Sequence, residues 1–184
     1  TEENLHTDAD RAVMRGLFTP AFWCSFVALS LVLSASSFRN VSVFPFFDGV
    51  FTYARDISIT AKAMSLIVIG LLATFRPALL HVRELNAGVL GLMVIGCALP
   101  VALGSGNAPL LVLTSCALAV RDAWCVLIAG IAASRLSPAQ ASVLIPLAFV
   151  AQVASSAFAW LLPVWAGTVF FLAAPFAAWA LSWR

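Results

Sequence analysis

Arg121 and Asp122 stand side by side in the middle of Leu110 to Ser134, an apolar and small-residue stretch that holds no other charge. At about 1.5 Å per helical residue this stretch covers a bilayer core of about 30 Å, which puts the pair near the membrane midplane. An ionised side chain at that depth costs about 2.5–3.5 kcal/mol on insertion scales and normally faces a bundle interior or a watery cavity. The pair is therefore a candidate site for binding a ligand or carrying a proton. Adjacent helical residues point about 100° apart, so further partners are expected for each of them. Lys62 is the first such candidate. It lies thirteen residues inside Phe75, as Arg121 lies thirteen inside Ser134, so parallel second and fourth helices place them at one depth. Gln152 is an amide far from the ends of its own apolar run and can touch a ligand or a neighbouring helix.

Other chemistries find little material. There is no nucleophile-and-base arrangement, no paired carboxylates and no glycine loop of the phosphate-cradling kind, so an enzyme is not expected. Cys24, Cys97, Cys116 and Cys125 fall in apolar runs without C-x-x-C spacing and read as small buried hydrophobes. His6 and His81 sit in separate hydrophilic segments, so no metal site and no cofactor are expected. The basic residues are too few and too scattered, at a net charge of +2, for nucleic-acid contact by this chain.

The elements that must hold these residues are membrane helices. Hydrophobic residues make up 62% of the chain and charged ones 10%, against about 25% in soluble domains. Mean hydropathy is +1.03. The pattern predicts an all-α polytopic bundle of six transmembrane helices, at about 17–37, 51–75, 87–103, 110–134, 139–162 and 164–182, after a polar segment at 1–16. That segment does not open like a signal peptide, and the missing initiator Met points to a piece of a longer chain.

Pro20 suits the first turn of the first span, and Ser30, Ser34, Ser36 and Ser37 can contact a neighbour or line a cavity. Phe38 to Val50 reads as the longest connection, with Phe44, Phe46 and Phe47 as an interfacial aromatic belt. Gly88, Gly91 and Gly96 invite close helix contact in the third span, as do Ala151, Ser155 and Ala159 in the fifth. Trp23, Trp165, Trp179 and Trp183 read as interface anchors.

Six spans put both ends on one side. Arg11, Arg15, Arg76, Arg83, Arg135 and Arg184 share that side, with Arg39 and Arg55 opposite, so the positive-inside rule predicts a multi-pass cell-membrane protein with both termini cytoplasmic.

Six helices built as three plus three resemble one half of a major facilitator transporter. Arg121, in A-V-R-D-A-W, stands where that family often carries a basic residue in its fourth helix. The connection F-R-P-A-L-L-H-V-R-E-L lacks the glycine and Asp-Arg pair usual between facilitator helices two and three, and V-L-I-P-L-A-F-V-A-Q lacks the Gly-Pro pair often seen in the fifth helix of antiporters. The chain also resembles the facilitator-like membrane region of multi-helix LuxR-type regulators, through Phe22-Trp23 in an Ala/Leu/Val-rich first helix, the altered Arg76 to Leu85 connection and I-A-A-S-R-L-S-P from Ile131 to Pro138.

That resemblance implies a sensory module whose ligand sits near Arg121, Asp122, Lys62 and Gln152. Its partners would be the bilayer, a small molecule, a second six-helix half and a cytoplasmic DNA-binding domain outside this chain. The alternative is half of a secondary transporter for a small solute.

Overall fold

Three of the helix starts are set by side-chain caps. Thr19 Oγ1 accepts the Phe22 N–H at 3.2 Å, and Pro20 occupies a first-turn position where a missing donor costs least. Asn107 Oδ1 accepts the Leu110 N–H at 2.9 Å in the same role. Ser137 and Gln140 close a reciprocal capping box across Pro138. The computed structural model describes residues 18–76, 78 and 83–182. The polar 1–16 segment, His81, Trp183 and Arg184 lie outside them.

From these starts run α1 (Pro20–Ser42), a 3-10 turn (Phe44–Phe46), α2 (Ala54–Phe75), α3 (Arg83–Gly96), α4 (Leu99–Ser105), α5 (Ala108–Ser134), α6 (Pro138–Ala159) and α7 (Val164–Ser182). Among the described residues there is no strand. Within the described residues, six helical stretches are long and apolar enough to cross a membrane, with α1 continuing through the 3-10 turn and α3 and α4 forming one span, Leu85–Ser105. The fold is an all-α membrane helical bundle.

The third span is broken rather than continuous. Pro100 has no N–H to give to Gly96 and its ring crowds that carbonyl, so the chain turns at Cys97 and Ala98 before α4 resumes. Gly106, at φ 64°, ends α4 in the left-handed conformation that favours glycine.

The packing has a crosswise plan. α1, the first helix of the first three spans, packs mainly on α6 and α7, which belong to the second three. α5, the first helix of the second three, packs on α2, α3 and α4. The two groups are joined by α1 against α5 and by α5 against α7. α5 is the axis: 61% of its apolar window is buried, against 6% for α2 and 11% for α6. The outer sides of α2 and α6 accordingly carry exposed Leu66, Ile67, Leu71, Phe149 and Val153.

Two large apolar clusters fill much of the interior, beside a smaller one around Phe22, Ala133 and Leu144. One gathers Phe38, Phe44, Phe47, Leu99, Leu111, Leu118 and Phe171, and the other Val32, Ile69, Met93, Ala123, Trp124 and Ala178. Along α5 they meet between Leu118 and Ala123, the interval that holds Arg121 and Asp122.

Two sequence expectations need correction. Phe44 and Phe47 are buried in the first cluster and only Phe46 is exposed, so most of the expected aromatic belt is core. The 3-10 turn folds these rings back onto α1 instead of laying them along an interface. Of the three glycines expected to invite close contact in the third span only Gly96 makes a close approach, against the Leu118 side chain, while a Cβ at Gly88 or Gly91 would meet nothing within 4 Å. The tightest glycine contact is at Gly167 on α7, beneath Ser42 of α1.

Ser34 pairs with Ser155 and Ser37 with Ser156, each pair at 2.7 Å, tying α1 to α6. In a bilayer such hydroxyl pairs replace a hydrophobic driving force that is absent between helices. The double variant Ser155→Ala/Ser156→Ala is expected to lose about 1 kcal/mol, since single interhelical bonds in membranes average about 0.6 kcal/mol. Unfolding in mixed micelles measures it. An unchanged midpoint would mean that Ala151 and Ala159 carry the α1–α6 contact without the hydroxyls.

Candidate functional site

The charged centre is assembled by α1, α2 and α5. On α5, the Asp122 carboxylate accepts from Arg121 through one oxygen, Oδ1, which lies 2.7 Å from Nη2 and 3.1 Å from Nε. Neighbouring side chains that leave a helix about 100° apart can still meet because the arginine is long enough to curl back. The sequence expectation that each needs other partners is thus half right: the two bond to each other, and Asp122 also takes a third residue. That residue is Arg39 of α1, whose Nη1 donates to Asp122 Oδ2 at 3.2 Å. Arg121 is fully enclosed, and Asp122 and Arg39 are nearly so.

Aromatic rings complete the enclosure. The Arg121 guanidinium lies 4.8 Å from the Phe171 ring centre, and the Arg39 guanidinium lies 4.8 Å from that of Phe44. Arg55, beyond the cluster, reaches the same Phe44 ring at 5.3 Å. Such faces stabilise cations by about 2 kcal/mol or more where water is excluded.

Lys62 of α2 joins the cluster from the side. Its Nζ donates to Ser36 Oγ at 3.4 Å, and Ser36 lies three residues before Arg39 on the same face of α1. Through Ser36, Lys62 stands beside the face of α1 that carries Arg39. It is only partly buried and stands at the rim. Within the cluster, Arg39 Nε and Arg121 Nη1 are buried N–H groups with no acceptor.

Gln152 is not drawn in. It lies on α6, where its backbone carbonyl accepts from Ser155 and Ser156, and no contact joins its side chain to the charged residues. α6 packs on the opposite side of α1 from α2, through Ser34 and Ser37 rather than Ser36 and Arg39.

Arg39 is the functional candidate that sequence reasoning misplaced. The expected first span stops at Ser37, which leaves Arg39 in a connection facing the opposite side. In fact α1 runs on to Ser42, because nothing before Pro45 interrupts the helix. The available signal was that Val41, Val43 and Phe44 continue the apolar run beyond the arginine, marking it as intramembrane.

Among the described residues, larger apolar grooves open elsewhere. One, of about 560 Å³, lies between Phe46, Val50, Leu103, Val164 and Leu172. The other, of about 590 Å³, lies between Met64, Ile69, Leu72, Val89 and Trp124. Neither is lined by the charged residues. Beside the second, Trp124 Nε1 donates to Asn86 Oδ1 at 2.9 Å, fixing α3 to α5.

Comparison with protein-family models, curated proteins and solved structures returns no significant match.

Proposed function

We propose that the chain is a membrane-embedded ligand-binding module, serving as the sensory region of a larger regulator of the LuxR type. The observation that carries this reading is the charged centre at the meeting of α1, α2 and α5, with two enclosed N–H donors unmatched and Lys62 at its rim. α1 and α5 each pack mainly on the helices of the other three-span group, so an occupant that draws Lys62 towards Arg39 acts across the seam between the groups. A ligand with different affinity for two arrangements of that seam shifts their populations and passes the shift to an attached cytoplasmic domain.

The second reading is half of a facilitator-type secondary transporter. The crosswise packing favours it, since repeats of three helices related by a pseudo-two-fold axis are the plan of such transporters. Sensing is preferred because both Asp122 oxygens bond guanidinium groups, so the carboxylate is held in place by α1 and α5 rather than presented to a passing solute.

In either case the ends face the cytoplasm. Arg39 is withdrawn from the loops into the core, leaving Arg55 as the arginine opposite Arg76, Arg83 and Arg135, which sharpens the positive-inside bias.

The test is a thermal-stability screen of the purified full-length protein against anionic, neutral and cationic metabolites, followed by flux in liposomes with any ligand found. A ligand that raises the melting temperature without crossing the membrane supports a sensor, and one that crosses supports the carrier. If no compound of any charge shifts the melting temperature, the ligand-binding reading is wrong.

A further inference from the structure

We infer that the occupant of the charged centre is a small anion, held between Lys62 and the two arginines; this rests on the ligand-binding reading above and names its ligand class. The cluster brings three basic side chains, Arg39, Arg121 and Lys62, against one carboxylate, Asp122. Among the described residues no second acid joins them: Asp48 and Asp56 are exposed near the ends of their segments and make no ion pair with the cluster. Arg39 and Arg121 against Asp122 leave one positive charge enclosed, Lys62 adds another at the rim, and a bound anion would offset them where the membrane interior does not.

The donor inventory points the same way. Asp122 has already given one oxygen to Arg121 and the other to Arg39. Arg39 Nε and Arg121 Nη1 remain enclosed without acceptors, the Arg121 side chain fully buried and that of Arg39 nine-tenths buried. Lys62 has three protons and one long bond, to Ser36. Groups that can only donate call for a ligand that can only accept, and a carboxylate or another small oxyanion meets that need. A cation or an amine would add to the surplus.

Entry is from the Lys62 side, because Lys62 and Ser36 are partly open whereas Arg121 is sealed beneath Phe171. The anion displaces Ser36 from Lys62 Nζ and reaches Arg39, so Lys62 governs affinity while the Asp122 pairs keep the arginines in place.

The experiment titrates the full-length protein in neutral detergent, at constant ionic strength, with sodium acetate, sodium benzoate, sodium nitrate and choline chloride, reading the melting temperature. Wild type and Lys62→Met are compared, the latter keeping the length of a half-exposed side chain while removing its charge. At least one of the three anions other than chloride is expected to raise the wild-type melting temperature saturably, and Lys62→Met to weaken its apparent affinity about tenfold, the worth of one charge-assisted bond. Benzoate acting alone assigns an organic anion with an apolar body, and nitrate acting as well assigns a general small-anion site. Equal responses of wild type and Lys62→Met overturn the proposal. So does stabilisation by neutral or cationic compounds alone in the broader screen, which leaves the ligand-binding reading standing, whereas silence from every compound removes both.

Discussion

Asp122→Asn is expected to destabilise the bundle by about 3–5 kcal/mol, the usual cost of breaking a buried ion pair from one side. The substitution keeps the shape of the side chain but leaves Arg39 and Arg121 facing each other in the core without a carboxylate. Arg39→Met should cost less, about 1.5–3 kcal/mol, because the two bonds between Arg121 and Asp122 survive it and only one charge-assisted bond is lost. Arg121→Met should fall between them. The double variant Arg39→Met/Asp122→Asn should be less damaged than the sum of its parts, since it removes one of the stranded cations along with the anion, and coupling of about 0.5–3 kcal/mol is usual within one network. Equilibrium unfolding in mixed micelles gives the order. If Asp122→Asn proves milder than Arg39→Met, the carboxylate is not the hub of the cluster.

The next largest effect is expected at Gly167. A Cβ there would run into the Ser42 hydroxyl, lie 2.8 Å from Ser42 Cβ and stand 3.5 Å from the Phe38 ring. Ser42 is buried at the end of α1 and its carbonyl accepts from Thr168, so it has little freedom to withdraw. Gly167→Ala should therefore cost about 1–3 kcal/mol by overpacking, and Ser42→Gly in the same chain should restore much of it. Gly88→Ala and Gly91→Ala provide the contrast. With open space at both, each should be neutral or gain about 0.5–1 kcal/mol from helix propensity. A Gly167→Ala protein as stable as Gly88→Ala would mean that α1 and α7 are further apart than described here.

The contrast between these glycines shows what a membrane sequence discloses. Apolar length and composition mark six spans, because every spanning backbone must satisfy its hydrogen bonds as helix whatever it packs against. The fourth span stood out for the same reason: a charged pair in hydrocarbon has to be enclosed, and α5 is the most buried helix. Lys62 was traceable by depth, since residues per turn convert directly into height across the bilayer.

Azimuth was not legible. Apolar side chains face both lipid and neighbouring helices, so nothing distinguishes Gly167, pressed on α1, from Gly88, facing open space. Gln152 reads as a polar group in a span, yet only its position around α6 decides that its side chain stays apart from the charged centre. Arg39 was lost to a boundary error of a few residues, which matters little for an apolar side chain and completely for a charge. Pro100, five residues inside the third apolar run from its far end at Ser105, was readable as a helix breaker and divides α3 from α4.

The ligand-binding centre can be probed directly at Ser36, the partly open neighbour of both Lys62 and Arg39. In a chain with Cys24, Cys97, Cys116 and Cys125 replaced by Ala, Ser36→Cys is labelled with a small cationic thiol reagent, with and without a saturating stabilising anion. Modification in the free protein and protection by the anion is the predicted result. A cysteine that reacts at the same rate with and without the anion, while the anion still raises the melting temperature, would place the ligand elsewhere and leave the charged centre a structural fastening of α1 to α5.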